Sequence, residues 1–352
     1  MVQSEHATAV LIDFDETSGI LRLRSIGKSP FSRFDLKRTI RVSDLHAECT
    51  SYWVFVDNSI KSGQLTQRGT DGLEMFYDEL KTKGNRLCKF LLEGDARKQL
   101  WGLARQSTVI TIITELMFVP WEALFDHESQ SFLSDNCVIV RWPEISGDSD
   151  RVPIESSFNR DRIVFLDPIL AADSKLLVDG VQIKQFLSAH FGNDLQLTTI
   201  KSALVDTVRS TRLVQWICEH ASEGLRLNDA VFYTQDDSQA HPFPSGAILI
   251  LTSCKSAGSN VPTTSVAASI CGASQCTVIA PSSVVATSIG VKFAHNLDQE
   301  LRSNDRKLTV IQLWRRMLVT NEDIKRDASK LTAQSCFARW YGIYGNGQAV
   351  LN

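Results

Sequence analysis

The sequence predicts an α/β protein built on a mostly parallel sheet flanked by helices. Short uncharged runs that end abruptly recur along the chain, as in Val109-Ile-Thr-Ile-Ile113, Ala247-Ile-Leu-Ile-Leu-Thr-Ser-Cys254 and Cys276-Thr-Val-Ile-Ala280. Runs of this length without charge read as strands buried on both faces. Between them lie stretches with apolar residues at helical spacing, and alternation of the two implies parallel strands with right-handed crossovers. Hydrophobic residues make up 43% of the 352 residues, enough for a sizeable core.

Residues 8 to 24 read as a hairpin, with alternating strands around the turn Glu16-Thr-Ser-Gly19. The stretch from 34 to 66 is mixed, and its aromatics Tyr52, Trp53 and Phe55 suggest one strand. From Thr70 to about Arg105 the spacing of Leu73, Phe76, Tyr77, Leu80, Leu87, Phe90 and Leu91 predicts two helices. Strands follow at 109–113 and at Cys137-Val-Ile-Val-Arg-Trp142. The segment from Glu144 to Arg160 is rich in Gly, Asp, Ser and Pro and reads as a linker, dividing the chain into portions 1–150 and 151–352.

Beyond it, strand Arg162–Asp167 stops at Pro168, a helix covers 177 to 191, and a strand covers 195 to 200. A short helix near 203–210 leads to the strand Leu213-Val-Gln-Trp-Ile-Cys-Glu-His220, then a hairpin between 225 and 233. The strand ending at Cys254 comes next, then a helix near 263–272, the strand 276–280, and helices at 284–303 and 308–319.

Composition narrows the function. A net charge of −3 supplies no basic excess for phosphate contacts, so nucleic acid is not an expected partner. The uncharged stretch from Ser256 to Val291 is interrupted by Ser, Thr, Asn and Pro, so it lacks the apolar span a bilayer demands, and no membrane is expected. Eight scattered cysteines without a C-x-x-C pair argue against zinc sites and disulfide frameworks; no metal and no cofactor are expected. Free thiols without a visible signal peptide point to the cytoplasm.

His220 and Cys254 differ from the other histidines and cysteines because each closes a buried run. In an open α/β sheet, chemistry sits beyond the carboxyl ends of strands. A thiol and an imidazole delivered there can work as nucleophile and base. The N–H groups of Ala221 and Cys254 are the candidate oxyanion donors. Cys88, Cys137, Cys218, Cys271 and Cys276 are assigned to packing. His6, His46, His127, His190 and His295 are assigned structural or surface places, with His241 a weaker rival base.

These segments resemble the signature segments of caspase-like peptidases, and the wider pattern is similar to the CHAT family, a caspase-like domain often fused to tetratricopeptide repeats. The matching pieces are Phe118-Val-Pro-Trp-Glu-Ala-Leu-Phe125, Trp216-Ile-Cys-Glu-His220-Ala-Ser-Glu-Gly224, Leu249-Ile-Leu-Thr-Ser-Cys254-Lys-Ser-Ala-Gly258, Gly272-Ala-Ser-Gln-Cys-Thr-Val-Ile-Ala280 and Phe337-Ala-Arg-Trp-Tyr-Gly342. The resemblance spans about 109 to 345 and covers 1 to 108 poorly.

It implies a caspase-like mostly parallel sheet, an N-terminal pseudo-caspase half carrying Pro120-Trp121-Glu122, and a C-terminal catalytic half with a His220–Cys254 dyad. It further implies a cysteine endopeptidase cutting a protein substrate, with any activator a separate chain or the N-terminal region, and a role in bacterial defence or regulated cell death. A catalytically silent caspase-like interaction module is the alternative. The chain departs from the family at Ala221, where glycine is usual, and at Glu219, where a small residue is common. Some caspase-like relatives hold a basic P1 side chain with an Asp two residues before the cysteine; here that position is Thr252, with Asp167, Asp236 and Asp237 as other carboxylates that could approach the cleft, although Asp236-Asp237 reads as a solvated polar loop.

Overall fold

The computed structural model describes residues 7–26, 35–63, 65, 70–114, 116–143, 160–197, 206–207, 211–218, 220–221, 224–227, 232–253, 266–274, 276–282, 286–303 and 309–345. They belong to two compact units, one of residues 1–144, 260–263 and 314–342, the other of residues 145–259, 264–313 and 343–352. The linker 144–159 lies outside the described residues.

The first unit opens with the expected hairpin, strands β1 (Ala7–Asp15) and β2 (Ile20–Ile26) paired antiparallel. Its turn is fixed by the Asp15 carboxylate, which accepts from the backbone N–H of Thr17 at 2.9 Å and of Ser18 at 3.3 Å. Gly19 takes φ +67°, and a Cβ there would meet the Ile40 carbonyl at 2.6 Å, so only glycine fits. Strand β3 (Asp35–Thr39) adds to β2.

The next element corrects the sequence expectation. Tyr52, Trp53 and Phe55 lie on a helix, α1 (Val42–Lys61), not a strand. Its buried residues Leu45, Cys49, Tyr52, Trp53, Val56 and Ser59 follow the helical repeat, which overrides the local preference of aromatics for strands. The two expected helices follow as α2 (Thr70–Leu91) and α3 (Gly94–Gln106). Strand β4 (Val109–Thr114), the small ribbon β5 (Phe125–Asp126) and β6 (Ser131–Phe132), helix α4 (Leu133–Asn136) and strand β7 (Val138–Pro143) complete this stretch. The sheet order is β7-β4-β1-β2-β3, parallel across β7, β4 and β1 and antiparallel beyond. Leu45, Leu87, Leu100 and Trp101 of the helices pack against Val10, Ile12, Leu21, Leu23, Ile110 and Ile112 in one core.

The Pro120-Trp121-Glu122 segment has a structural task in this unit. Glu122 sits on a 3₁₀ turn, and its carboxylate forms a two-pronged ion pair with the fully buried Arg141 of β7. Arg141 Nη1 also donates to the Met117 carbonyl at 2.6 Å. Two charges removed from water need partners of this geometry.

The second unit starts with β8 (Arg160–Leu166) and α5 (Pro168–Ala172), whose N-cap Asp167 accepts from the Ile169 N–H. The helix expected from 177 is shorter than its pattern: 177–182 form the ribbon β9 (Leu177–Val178) and β10 (Val181–Gln182), turning at Asp179-Gly180, both at positive φ. Helix α6 covers only Ile183–Phe191. Strands β11 (Leu195–Leu197) and β12 (Thr211–Ile217) follow. Of the short helix expected near 203–210, only 206 and 207 are described.

Three short strands, β13 (His220–Ala221), β14 (Gly224–Arg226) and β15 (Phe232–Tyr233), form a separate antiparallel sheet. Helix α7 (Gln235–Ala240), β16 (Ile248–Thr252), α8 (Val266–Ala273), β17 (Thr277–Pro281) and α9 (Thr287–Ser303) follow in alternation, and then comes α10 (Val310–Met317), of which the residues to Leu313 belong to this unit. The main sheet of this unit, β11-β8-β12-β16-β17, is parallel throughout. Every residue of β16 and β17 is buried, as strands covered on both faces must be.

Helices α11 (Asn321–Arg326) and α12 (Ala333–Phe337) belong to the first unit, and strand β18 (Tyr341–Gly345) closes the described chain. The Phe337–Gly342 segment carries a second buried cation: Arg339 lies 2.9 Å from Asp135, donates to Ser134 Oγ at 3.0 Å, and stacks 4.2 Å over Phe132. Among the described residues no helix is long and apolar enough to cross a membrane.

Candidate functional site

The site is built on two neighbouring strands of the second unit. Strands β12 and β16 pair in parallel from Leu213↔Ile248 to Ile217↔Thr252. On its other side β12 pairs with β8, and Ile217 stands opposite Leu166. The carboxyl ends of β8, β12 and β16 are therefore level. Hydrogen bonds hold this edge together beyond the strands: Asp167 N donates to Ile217 O at 2.9 Å and Cys218 N to Thr252 O at 3.3 Å. Trp216 and Trp121 are core residues, both fully buried.

The sequence places His220 at the end of the β12 run, but the strand stops at Ile217 and His220 begins β13. His220 pairs with Leu225 and Ala221 with Gly224, antiparallel. Gly224 takes φ +137°, and a Cβ there would fall 2.3 Å from the Tyr233 carbonyl, so β14 can approach β15 only with glycine at this position. Tyr233 in turn packs edge-on against Trp216, which seats the small sheet on the core of the large one. The His220 side chain is outside the described residues, as is the whole of Cys254, which follows Thr252 by two positions.

Asp167 is fully buried at the end of β8. Its Oδ1 accepts from Ile169 N at 2.9 Å, and its Oδ2 accepts from Arg226 Nε at 2.6 Å. This pair ties β14, and with it the His220 hairpin, to the edge of the main sheet. Sequence analysis did not single out Arg226; the signal was a cation two residues beyond Gly224 in a predicted hairpin, across from a buried strand-end acid.

Asp236 is exposed in the first turn of α7, while Asp237 closes a capping box with Thr234. The pair therefore opens a helix instead of lying in a loop. Thr252 and Ser253 are buried, and neither Oγ1 of Thr252 nor Oγ of Ser253 has a hydrogen-bond partner among the described residues. Buried hydroxyls left without partners are uncommon and ask for an explanation. No group of three or more His, Cys, Asp or Glu suited to a metal exists among the described residues. Three of the other histidines pack among aromatic rings: His46 stacks on Phe118, and His295 sits between Phe186, Phe191 and His190. Burial, with smaller contributions from His190 and Arg162, lowers the His295 pKa to about 4.

No protein-family profile matches this sequence, and no curated protein does. Solved structures do. A chain of the Saccharomyces cerevisiae separase–securin complex, in the 2.6 Å crystal structure, superposes with a TM-score of 0.55 at 11% identity over 96% of this chain. A second crystal structure of that complex, at 3.0 Å, gives 0.57 at 11% identity over 97%. This chain spans 30% of the length of the chain it matches in each. The protein has the caspase-like α/β fold of separase, a mostly parallel sheet flanked by helices.

Proposed function

We propose that this chain is a caspase-like cysteine endopeptidase in which Cys254 is the nucleophile and His220 the base. The observation that carries this is the in-register parallel pairing of β12 with β16, whose ends lead directly to these two residues. Neighbouring strands lie roughly 5 Å apart, so the chain leaves the sheet at adjacent points on one edge, three residues before His220 and two before Cys254. The fold shared with separase supports the same assignment.

In the proposed reaction the imidazole takes the thiol proton, the thiolate attacks the scissile carbonyl, and the N–H groups of Ala221 and Cys254 receive the oxyanion. The imidazolium then protonates the leaving amine. Asp167 acts here as a positioning residue for the His220 hairpin, because both its carboxylate oxygens are engaged. With Thr252 where an acid would hold a basic side chain, the P1 residue is small or apolar; an unpaired buried cation would be costly. The CHAT-like sequence pattern extends the proposal to a cytoplasmic peptidase of a defence or cell-death system, acting on one protein partner, with activation by a separate chain.

The test is covalent labelling of the full chain by an electrophilic peptide, mapped by mass spectrometry. Label on Cys254 that is lost in Cys254→Ala and strongly slowed in His220→Ala is the expected result. Label spread over other cysteines, or an unchanged rate in His220→Ala, overturns the dyad. Absence of both labelling and cleavage in a chain that still binds a protein partner favours the silent interaction module.

A further inference from the structure

Cys271 and Cys276, which sequence analysis assigned to packing, form a pair unlike the other described cysteines. Cys271 lies in the last turn of α8 and is half-buried; Cys276 immediately precedes β17 and is fully buried. Their thiols are hydrogen-bonded to each other, and both are free. The surroundings fix them. Ser274 Oγ lies 3.2 Å from Cys276 Sγ, and the Val278 N–H bonds to Cys271 Sγ. Gly345, at φ +82°, closes over both: a Cβ there would come 3.1 Å from Cys271 Sγ and 2.3 Å from the Cys276 carbonyl.

We propose that Cys271 and Cys276 are a redox modification site, a dithiol that a peroxide converts into an intramolecular disulfide. The inference does not depend on the peptidase assignment.

Hydrogen bonding by Cys271 comes first among the effects that hold the Cys276 thiol below its ordinary range, with Ser274 adding to it, while burial, the Cys276 hydrogen bond and its charge push Cys271 up. Of the two, Cys276 is therefore the more readily deprotonated and reacts first. By contrast, burial pushes the thiols of Cys88, Cys137 and Cys336 up to about 12. In the first step Cys276 sulfur displaces hydroxide from the peroxide, forming the S–O bond of a sulfenic acid, and the hydroxide takes up the Cys276 proton as water. In the second, Cys271 sulfur attacks that sulfur; the S–S bond forms, the S–O bond breaks, and the departing hydroxide takes the Cys271 proton. Two thiols and one hydrogen peroxide thus give one disulfide and two waters.

The sequence makes the reaction easy to read, because no Lys or Arg lies between Lys255 and Lys292. Trypsin releases both cysteines on one peptide that excludes Cys254. The full chain carrying Cys254→Ala, so that no thiol at 254 can exchange, is treated with graded hydrogen peroxide, denatured, alkylated and digested. The expected result is that the 256–292 peptide loses 2 Da and takes no alkyl group at a dose where Cys49, Cys88, Cys137 and Cys336 still alkylate fully, and that dithiothreitol reverses this. Either Cys271→Ser or Cys276→Ser should abolish the 2 Da loss. Two alkyl groups on that peptide while other cysteines are already oxidised, or separate sulfinic acids on the two sulfurs, would overturn the proposal.

Discussion

The two units meet the same architectural problem, polar groups near the carboxyl ends of buried parallel strands, and treat it differently. In the first, Thr114 Oγ1 at the end of β4 accepts from Leu116 N at 2.9 Å, and Arg141 near the end of β7 is held by Glu122 and by the Met117 carbonyl. In the second, the side-chain hydroxyls of Thr252 and Ser253 at the end of β16 are buried without a hydrogen-bond partner among the described residues. Satisfied polar groups fix a structure; unsatisfied ones at a strand edge are where a ligand gains most by binding. The difference singles out the end of β16 as the place to test the proposed chemistry.

Several substitutions would break or sharpen that contrast. Cys254→Ala should lower peptide cleavage by roughly 10³-fold or more, since removing one member of a catalytic unit removes most of its effect. Its denaturation midpoint should stay at the parent value; a chain that unfolds instead would make Cys254 a core residue.

Glu122→Ala should do the reverse. It strands the buried Arg141 and should cost about 3–5 kcal/mol of stability, measured by urea titration, with cleavage per folded molecule unchanged. A loss near zero would mean that water reaches Arg141.

Asp167→Asn should fall between the two. Loss of the charge facing Arg226 should cost roughly 2 kcal/mol and slow Cys254 labelling, because the His220 hairpin loses its tie to the sheet edge. Unaltered labelling with lowered stability would reduce Asp167 to a purely structural role.

The pH dependence concerns the second unit through His295. Its folded pKa, about 4, lies below the usual imidazole value of 6.5, so the unfolded chain binds the proton more readily. Stability is thus full above pH 6.5 and falls as pH drops toward 4, by up to about 1.4 kcal/mol per pH unit. His295→Asn should flatten that slope in denaturant titrations; an unchanged slope assigns it to other groups.

The smallest effect is expected at Thr252→Val, which removes a buried hydroxyl lacking a partner and should raise stability by about 1 kcal/mol. Destabilisation would reveal a bond to that hydroxyl, and a shift in P1 preference would connect it to substrate.

Much of this organisation was legible in the sequence because buried parallel strands are uncharged and end sharply. The strands at 109–114, 248–252 and 277–281 show that signature throughout, and the strand at 160–166 shows it from Ile163 on. Helix α1 escaped because three aromatics within four positions read as strand, whereas its period emerges only over the longer span from Leu45 to Ser59. The ribbon at 177–182 was hidden because a turn at Asp179-Gly180 interrupts an otherwise helical spacing. The attachment of 314–342 to the first unit depends on long-range partners such as Arg339 and Asp135, which no local pattern announces. At the site, the strand that leads to His220 was visible, but its break after Ile217 was not, since Cys218 continues the apolar run.

Gly224 has a consequence for how this site tolerates change. With φ at +137° and the Tyr233 carbonyl pressed where a side chain would begin, the position admits no other residue without moving β14 away from β15. In a saturation library selected for activity, codon 224 should therefore collapse to glycine, as codon 220 should to histidine under the proposed dyad. Such a profile would mark the His220 hairpin as under selection before any substrate has been identified.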